Sequence, residues 1–178
     1  DNKRLFDVKG KLVLVDLILE DGKITNGCGG AIHASGAGST THLIRSIIRK
    51  CESGCGGAVY ALLGAVLTLE DSTLESNKGR WGGSVFALSG AKIQIKGISS
   101  IKNNIATSEG GGIYLDNKAT LEIIGEGTQL LIDGNTAAYG GGVSAESEAK
   151  IIVLSGASMH VTNNKATTRD SGTRFDAI

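Results

Sequence analysis

Short runs in which apolar and polar residues alternate are the main pattern along this chain. The segments VLTL at 66–69, KIQI at 92–95 and TLEI at 120–123 show it clearly. Side chains of a β-strand point alternately to opposite faces, so this pattern predicts strands with one buried face. Glycines interrupt every window in which a helical period might develop, and glycine is a poor helix former. The pattern therefore predicts an all-β protein.

A pair of glycines followed by a small or apolar residue marks each of five repeats. The copies begin at Gly29, Gly56, Gly82, Gly110 and Gly140, at intervals of 26 to 30 residues. Self-similarity at such a period is typical of solenoid proteins, in which each repeat forms one structural unit. We therefore interpret the glycine pair as a tight corner that recurs once in every repeat.

A second motif, apolar-x-x-Asn, precedes the later glycine pairs. Its asparagines are Asn77, Asn104, Asn135 and Asn164, and Cys51 and Gly22 take the same position in the earlier copies. Asparagine and glycine favour turns because both tolerate positive φ. The four asparagines are thus predicted to form a ladder of stacked turn residues.

Short strands separated by Gly and Asn turns, with about 27 residues per repeat, fit one coil of a β-helix. We predict a single right-handed parallel β-helix of about six coils, with 1–178 as one repeat domain. Equivalent residues of adjacent coils then stack about 4.8 Å apart. The predicted core columns are Ile32, Val59, Val85, Ile113 and Val143, beside Ala34, Ala61, Ala87, Leu115 and Ala145.

The composition of the chain argues against several classes of function. The chain has 178 residues, 27 of them glycine, and its 18 basic and 18 acidic residues cancel. A nucleic-acid-binding protein would show a basic excess, so we expect no nucleic-acid partner. The longest apolar run is far shorter than the ~20 residues of a spanning helix, so no membrane-spanning segment is expected. The three histidines are scattered, and neither a metal nor a cofactor is predicted.

The two motifs together resemble the repeats of polymorphic outer-membrane proteins, known best from chlamydial autotransporters. That family carries GGA(I/L/V) and FxxN; here GGA is strict at 29–32 and 56–59, and Leu, Ile or Val replaces the Phe. The resemblance covers about residues 12–165. It implies an extracellular or cell-surface β-helical domain, often adhesive, with no catalytic residues to carry over.

A file of rings follows the glycine pairs: His33, Tyr60, Phe86 and Tyr114 occupy equivalent positions. Strand alternation directs them away from the core columns, so an exposed row of rings is expected. Such a row could stack against sugar rings or a partner's side chains. Alternatively, the rings stabilise the coils or lie beneath a loop.

Charged residues form another file, in which Asp16, Arg45 and Asp71 occupy one place in three consecutive coils, and Ile98 ends it. Two carboxylates beside an arginine could hold the acid/base pair that carbohydrate-processing β-helices require. The alternative is a ladder of surface ion pairs at a turn.

Three cysteines leave at least one thiol unpaired within the chain. Cys28 and Cys55 both precede a glycine pair, so they should stack within disulfide range. Cys51 and Cys55 could pair across the turn instead, and three reduced cysteines are a third alternative.

The leading hypothesis is a non-enzymatic structural or adhesin-like module at the cell surface, with a protein or glycan partner. A carbohydrate-active β-helix enzyme (a lyase, esterase or hydrolase) is the alternative, but the even repeat spacing leaves little room for cleft-forming loops. Because the sequence starts at Asp1, a segment of a longer extracellular protein is expected. The head, 1–10, is expected to cap one end in part. The tail, 166–178, is expected to begin another coil, because Ser171-Gly172 is a weak copy of the glycine-pair motif. End-on stacking with neighbouring β-helix segments would cover such ends.

Overall fold

The computed structural model describes residues 3–168, which form strands and turns without a helix. Their 24 strands associate in parallel as four sheets of six strands each. Each coil of the chain contributes one strand to every sheet, so the protein is a parallel β-helix of six coils. The predicted solenoid is thereby confirmed, and each of its coils contains four short strands.

The strands follow in chain order, coil by coil. The first coil holds β1 (Phe6–Val8), β2 (Lys11–Val15), β3 (Ile18–Glu20) and β4 (Lys23–Cys28). The second holds β5 (Ile32–Ser35), β6 (Thr40–Ile44), β7 (Ile47–Arg49) and β8 (Glu52–Cys55). The third holds β9 (Val59–Leu62), β10 (Val66–Glu70), β11 (Thr73–Glu75) and β12 (Lys78–Trp81).

The other half of the stack repeats this arrangement. The fourth coil holds β13 (Val85–Leu88), β14 (Lys92–Lys96), β15 (Ile98–Lys102) and β16 (Ile105–Glu109). The fifth holds β17 (Ile113–Leu115), β18 (Thr120–Ile123), β19 (Gln129–Asp133) and β20 (Thr136–Ala137). The sixth holds β21 (Val143–Ala145), β22 (Lys150–Val153), β23 (Ser158–Thr162) and β24 (Lys165–Ala166). We call the four sheets first to fourth, in the order in which a coil visits them.

The core is a set of columns of apolar side chains that run through the stack. In the first sheet Val85 lies opposite Val59 on one side and Ile113 on the other, and all three are fully buried. The second sheet adds Leu43, Leu69, Ile95 and Ile123, and the third adds Ile48, Leu74, Ile101 and Ile132. The predicted core columns are confirmed except at Ala145. That residue is exposed because it lies in the last described coil, on which no further described coil packs.

Glycine pairs make the corner between the fourth sheet and the first. Gly82 has a φ of 67°, a conformation that side chains disfavour. At Gly83 a β-carbon would overlap the carbonyl oxygen of Gly111 in the next coil. The backbones of adjacent coils therefore approach too closely at this corner for any residue but glycine.

The head of the chain belongs to the first coil, and its start covers part of that coil's open edge, as expected of a partial cap. The carbonyl of Lys3 accepts the N–H of Lys23 on β4 at 3.0 Å. Phe6–Val8 forms β1 and pairs in parallel with β5. Arg4 donates hydrogen bonds to the carbonyls of Cys28 (2.8 Å) and Gly29 (3.2 Å), which ties the start of the chain to the end of β4. The coil expected at 166–178 lies outside the described residues beyond Thr168. Between residues 3 and 168 no helix is long and apolar enough to span a bilayer.

Candidate functional site

The ring file forms as predicted, but its rings are not all exposed. Ring centroids lie 5.5 Å apart for His33 and Tyr60, 5.3 Å for Tyr60 and Phe86, and 4.8 Å for Phe86 and Tyr114. Phe86 and Tyr114 are each only 7% exposed, whereas His33 and Tyr60 are half-buried. The expectation of an exposed row is therefore wrong for Phe86 and Tyr114. Rings on both sides cover the faces of Phe86, whereas Tyr114 ends the file and has Phe86 on one side and Ser144 of the next coil on the other.

Polar contacts hold the two ends of this file. The Tyr114 hydroxyl donates to Oε2 of Glu146 at 3.1 Å, and Nδ1 of His33 lies 2.9 Å from Oδ1 of Asp7. Burial, reinforced by nearby carboxylates, raises the pKa of Tyr114, so its hydroxyl stays protonated. The file is thus mainly a stacking device, and its accessible part is the His33–Tyr60 end.

Within the charge file, Arg45 forms an ion pair with Asp16 but not with Asp71. Arg45 donates to both carboxylate oxygens of Asp16, at 2.7 and 2.8 Å, and this hydrogen bonding holds the pKa of Asp16 below its ordinary value. Asp71 instead accepts the backbone N–H of Ile98 at 2.8 Å, where the file ends. Each carboxylate therefore already has a partner in a turn, as expected of a surface ladder.

The Asn ladder forms, but it lies inside the stack, and positive φ is not the reason for its asparagines. That conformation falls on the residue before each of them, such as Ser76 and Asn103. Asn77, Asn104 and Asn135 are fully buried, and each donates its backbone N–H to the Oδ1 atom of the asparagine in the next coil at 2.9 Å. Their Nδ2 groups donate to the same Oδ1 atoms at 2.9 to 3.1 Å. Asn164 closes the described ladder, and Cys51 begins it by donating its N–H to Asn77. The motif therefore has a structural role: it satisfies buried polar groups between coils.

The cysteine alternatives are resolved. Cys28 and Cys55 form a disulfide between the first two coils, with their Cα atoms 4.4 Å apart. Cys51 is a free, buried thiol, and burial raises its pKa to about 11. The disulfide takes the column position that Trp81, Glu109 and Tyr139 occupy in later coils.

A shallow groove on the outer face of the fourth sheet was not predicted from the sequence. It encloses about 240 Å³, and its lining includes Glu52, Lys78, Arg80, Ile105 and Thr107. A neighbouring groove of about 170 Å³ shares Glu52 and Lys78 and extends to Lys50 at the corner. The signal in the sequence is the alternation KGRW at 78–81, which puts two cations on one face of a strand.

An aromatic ring supports one of these cations. The Arg80 guanidinium carbon lies 4.2 Å from the centroid of the Trp81 ring. Lys50, Lys78 and Arg80 are exposed and have no ion-pair partner in residues 3–168, whereas Glu52 is engaged by Lys23 at 3.0 Å. The groove is therefore a cationic strip on a chain without net charge. No group of three His, Cys, Asp or Glu side chains in the described range could hold a metal ion.

A stretch of the fourth and fifth coils is similar to a known repeat. The family model of the Chlamydia polymorphic membrane protein (Chlamydia_PMP) repeat matches residues 98–116, which contain the asparagine motif ending at Asn104 and the glycines that begin at Gly110. No curated protein and no solved structure matches the chain. The match agrees with the resemblance carried by the motifs, and the same Gly and Asn positions recur in other coils of the structure.

Proposed function

We propose that this chain is a non-enzymatic module of a cell-surface protein, which acts outside the cell as a scaffold or in an adhesin-like manner. The observation that carries the proposal is the repeat at 98–116, which is similar to that of a membrane-protein family and is built into a continuous β-helix. A solenoid of this kind offers long, stiff faces suited to binding or spacing. Its partner would be a protein or a glycan at the cell surface.

The disulfide supports an extracellular location. Disulfides persist in oxidising compartments and are rare where glutathione keeps thiols reduced. Cys28–Cys55 joins two coils at a corner of the stack, so it is a structural bond. A chain that folds outside the cytosol can form this disulfide and keep it.

The charge file gives little support to the carbohydrate-active enzyme. Arg45 occupies both oxygens of Asp16, and a low pKa keeps that carboxylate ionised rather than ready to donate a proton. A general acid for glycoside cleavage needs a raised pKa instead. We therefore propose binding without turnover.

One experiment separates binding from catalysis. The oxidised chain is applied to an array of neutral, carboxylated and sulfated glycans, and in parallel each polysaccharide is assayed for new reducing ends and unsaturated products. Retention of a glycan class without product supports the proposal. Steady product formation that Asp16→Asn or Asp71→Asn abolishes would establish the enzyme instead.

A further inference from the structure

We propose that the groove across β8, β12 and β16 binds the sulfate or carboxylate groups of an acidic polysaccharide. This inference rests on the proposed function and names the face and the ligand class. The groove is lined by Lys50, Glu52, Lys78, Arg80, Ile105 and Thr107, and we call it the cationic groove.

The cations of this groove are free to engage an anion. Lys78 and Arg80 alternate with the buried Gly79 on β12, so both project outward about 6.6 Å apart along the strand. Glu52 is the carboxylate opposite Lys78, but Lys23 already engages it. Asp21 lies at the corner position of the preceding coil that corresponds to Lys50.

The groove also orients its arginine. Stacking on Trp81 fixes the plane of the Arg80 guanidinium and leaves its N–H edge for a bidentate anion. The strand register places Gly54, which has no side chain, beside Arg80 in the preceding coil. An anionic group can therefore approach Arg80 from that side without displacing a side chain.

The remaining lining suits a sugar. Ile105 is 45% exposed and offers an apolar wall to the carbon face of a pyranose ring, and the exposed Thr107 offers a hydroxyl. The groove is smaller than the ~300 Å³ or more of typical small-molecule pockets. Because it continues into the second groove through Lys78, towards the start of β8 and β12, it fits an extended chain that lies along the strands rather than an enclosed ligand.

A nucleic acid is the competing polyanion, and the groove suits it less well. Single strands bind to proteins through bases that stack on open aromatic faces. Here the Arg80 guanidinium already covers a face of Trp81.

The test measures binding to fluorescent heparin oligosaccharides, hyaluronan, neutral dextran and a single-stranded oligonucleotide across a range of salt. The test variant is Lys78→Ala with Arg80→Ala. The matched control is Lys11→Ala with Lys150→Ala, which removes the same charge from exposed lysines of the second sheet. Thermal unfolding and thiol counts confirm that each variant is folded and oxidised.

We expect the wild type to bind heparin more tightly than dextran. The comparison of heparin with hyaluronan shows whether the groove prefers sulfate or carboxylate groups. The test variant should lose about tenfold or more in affinity, with the slope of log K against log salt reduced by about two, and the control should change little. Equal losses in test and control variants, or tighter binding of the oligonucleotide, would overturn the inference. If heparin and hyaluronan fail while neutral glycans are retained, the ligand class is wrong and the proposed function stands. If no glycan binds, the inference is wrong and the proposed function loses its glycan partner.

Discussion

The Oδ1 atom of Asn104 accepts two hydrogen bonds from Asn77, one from its backbone N–H at 2.9 Å and one from its Nδ2 group at 3.1 Å. Both residues are fully buried, and the Nδ2 group of Asn104 also donates to the carbonyl of Leu74 at 3.1 Å. A single side chain thus satisfies several polar groups of the coil before it. This contact explains why asparagine recurs at that position from the third coil onwards.

Replacement of Asn104 by alanine should destabilise the β-helix strongly. The change leaves two donors of Asn77 and the carbonyl of Leu74 without partners in a dry interior, at a cost of at least about 3 kcal/mol in total. Urea denaturation of Asn104→Ala measures it. Asn164→Ala is the control, because Asn164 is only half-buried and water can replace its contacts. An Asn104→Ala protein as stable as the wild type would contradict the ladder.

Loss of the disulfide should lower the free energy of unfolding without changing the fold. Cys28 and Cys55 are separated by 27 residues along the chain. Closing a loop of this size restricts the unfolded chain and is worth about 3 kcal/mol. Urea curves of Cys28→Ser with Cys55→Ser, compared with the wild type with and without reductant, measure the effect. A reductant effect that persists in the double variant would refute the assignment.

Burial of Cys51 should appear as both low reactivity and a pH-dependent stability. Because burial raises its pKa to about 11, the native thiol should resist iodoacetamide at pH 8 and react once urea unfolds the chain. The folded state favours the neutral thiol, so this contribution is complete below about pH 9 and declines as the pH rises towards 11. The difference in unfolding free energy between wild type and Cys51→Ala should decline over that range. Rapid native labelling would show that the thiol is accessible.

The glycine corner should tolerate no side chain. Gly83→Ala would drive a β-carbon into the Gly111 carbonyl, so we expect failure to fold or a loss of several kcal/mol. Gly38→Ala is the control, since its β-carbon would meet no atom within 4 Å. Circular dichroism and thermal melts distinguish the two variants, and a normally stable Gly83→Ala protein would disprove the close approach of the coils.

Buried and exposed isoleucines of the same coil should behave differently. Ile95 is fully buried and Ile98 is 68% exposed. Truncation of a buried isoleucine to alanine costs about 2–5 kcal/mol, whereas a surface change stays within about 0.5 kcal/mol. Denaturant midpoints of Ile95→Ala and Ile98→Ala test this, and similar values would place the core elsewhere.

The periodic residues predict most of the fold. Equivalent positions of a β-helix stack directly, so the spacing of the Gly82 and Asn77 motifs along the chain is enough to locate the corners and a ladder of stacked residues. The four-strand outline of a coil is not predictable in the same way. Strands of three residues, such as β3 and β7, are too short to show a period of two.

The surfaces are harder to predict than the core. Alternation places Phe86 outside the core column but does not show that its neighbours in the file cover both of its faces. The shape of the cationic groove depends on which residues of neighbouring coils lack a side chain, such as Gly54 beside Arg80. Local sequence does not carry that information, because register between coils decides it.

Accessibility on intact cells tests the central claim most directly. Cells that produce the full protein are treated with a membrane-impermeant biotin reagent, with and without permeabilisation. The extracted protein is then analysed for labelled lysines and for the oxidation state of its three cysteines. We predict labelling of exposed lysines such as Lys78 and Lys150 on intact cells, with Cys28 and Cys55 joined. Labelling only after permeabilisation, with all three cysteines reduced, would contradict a module that works at the cell surface.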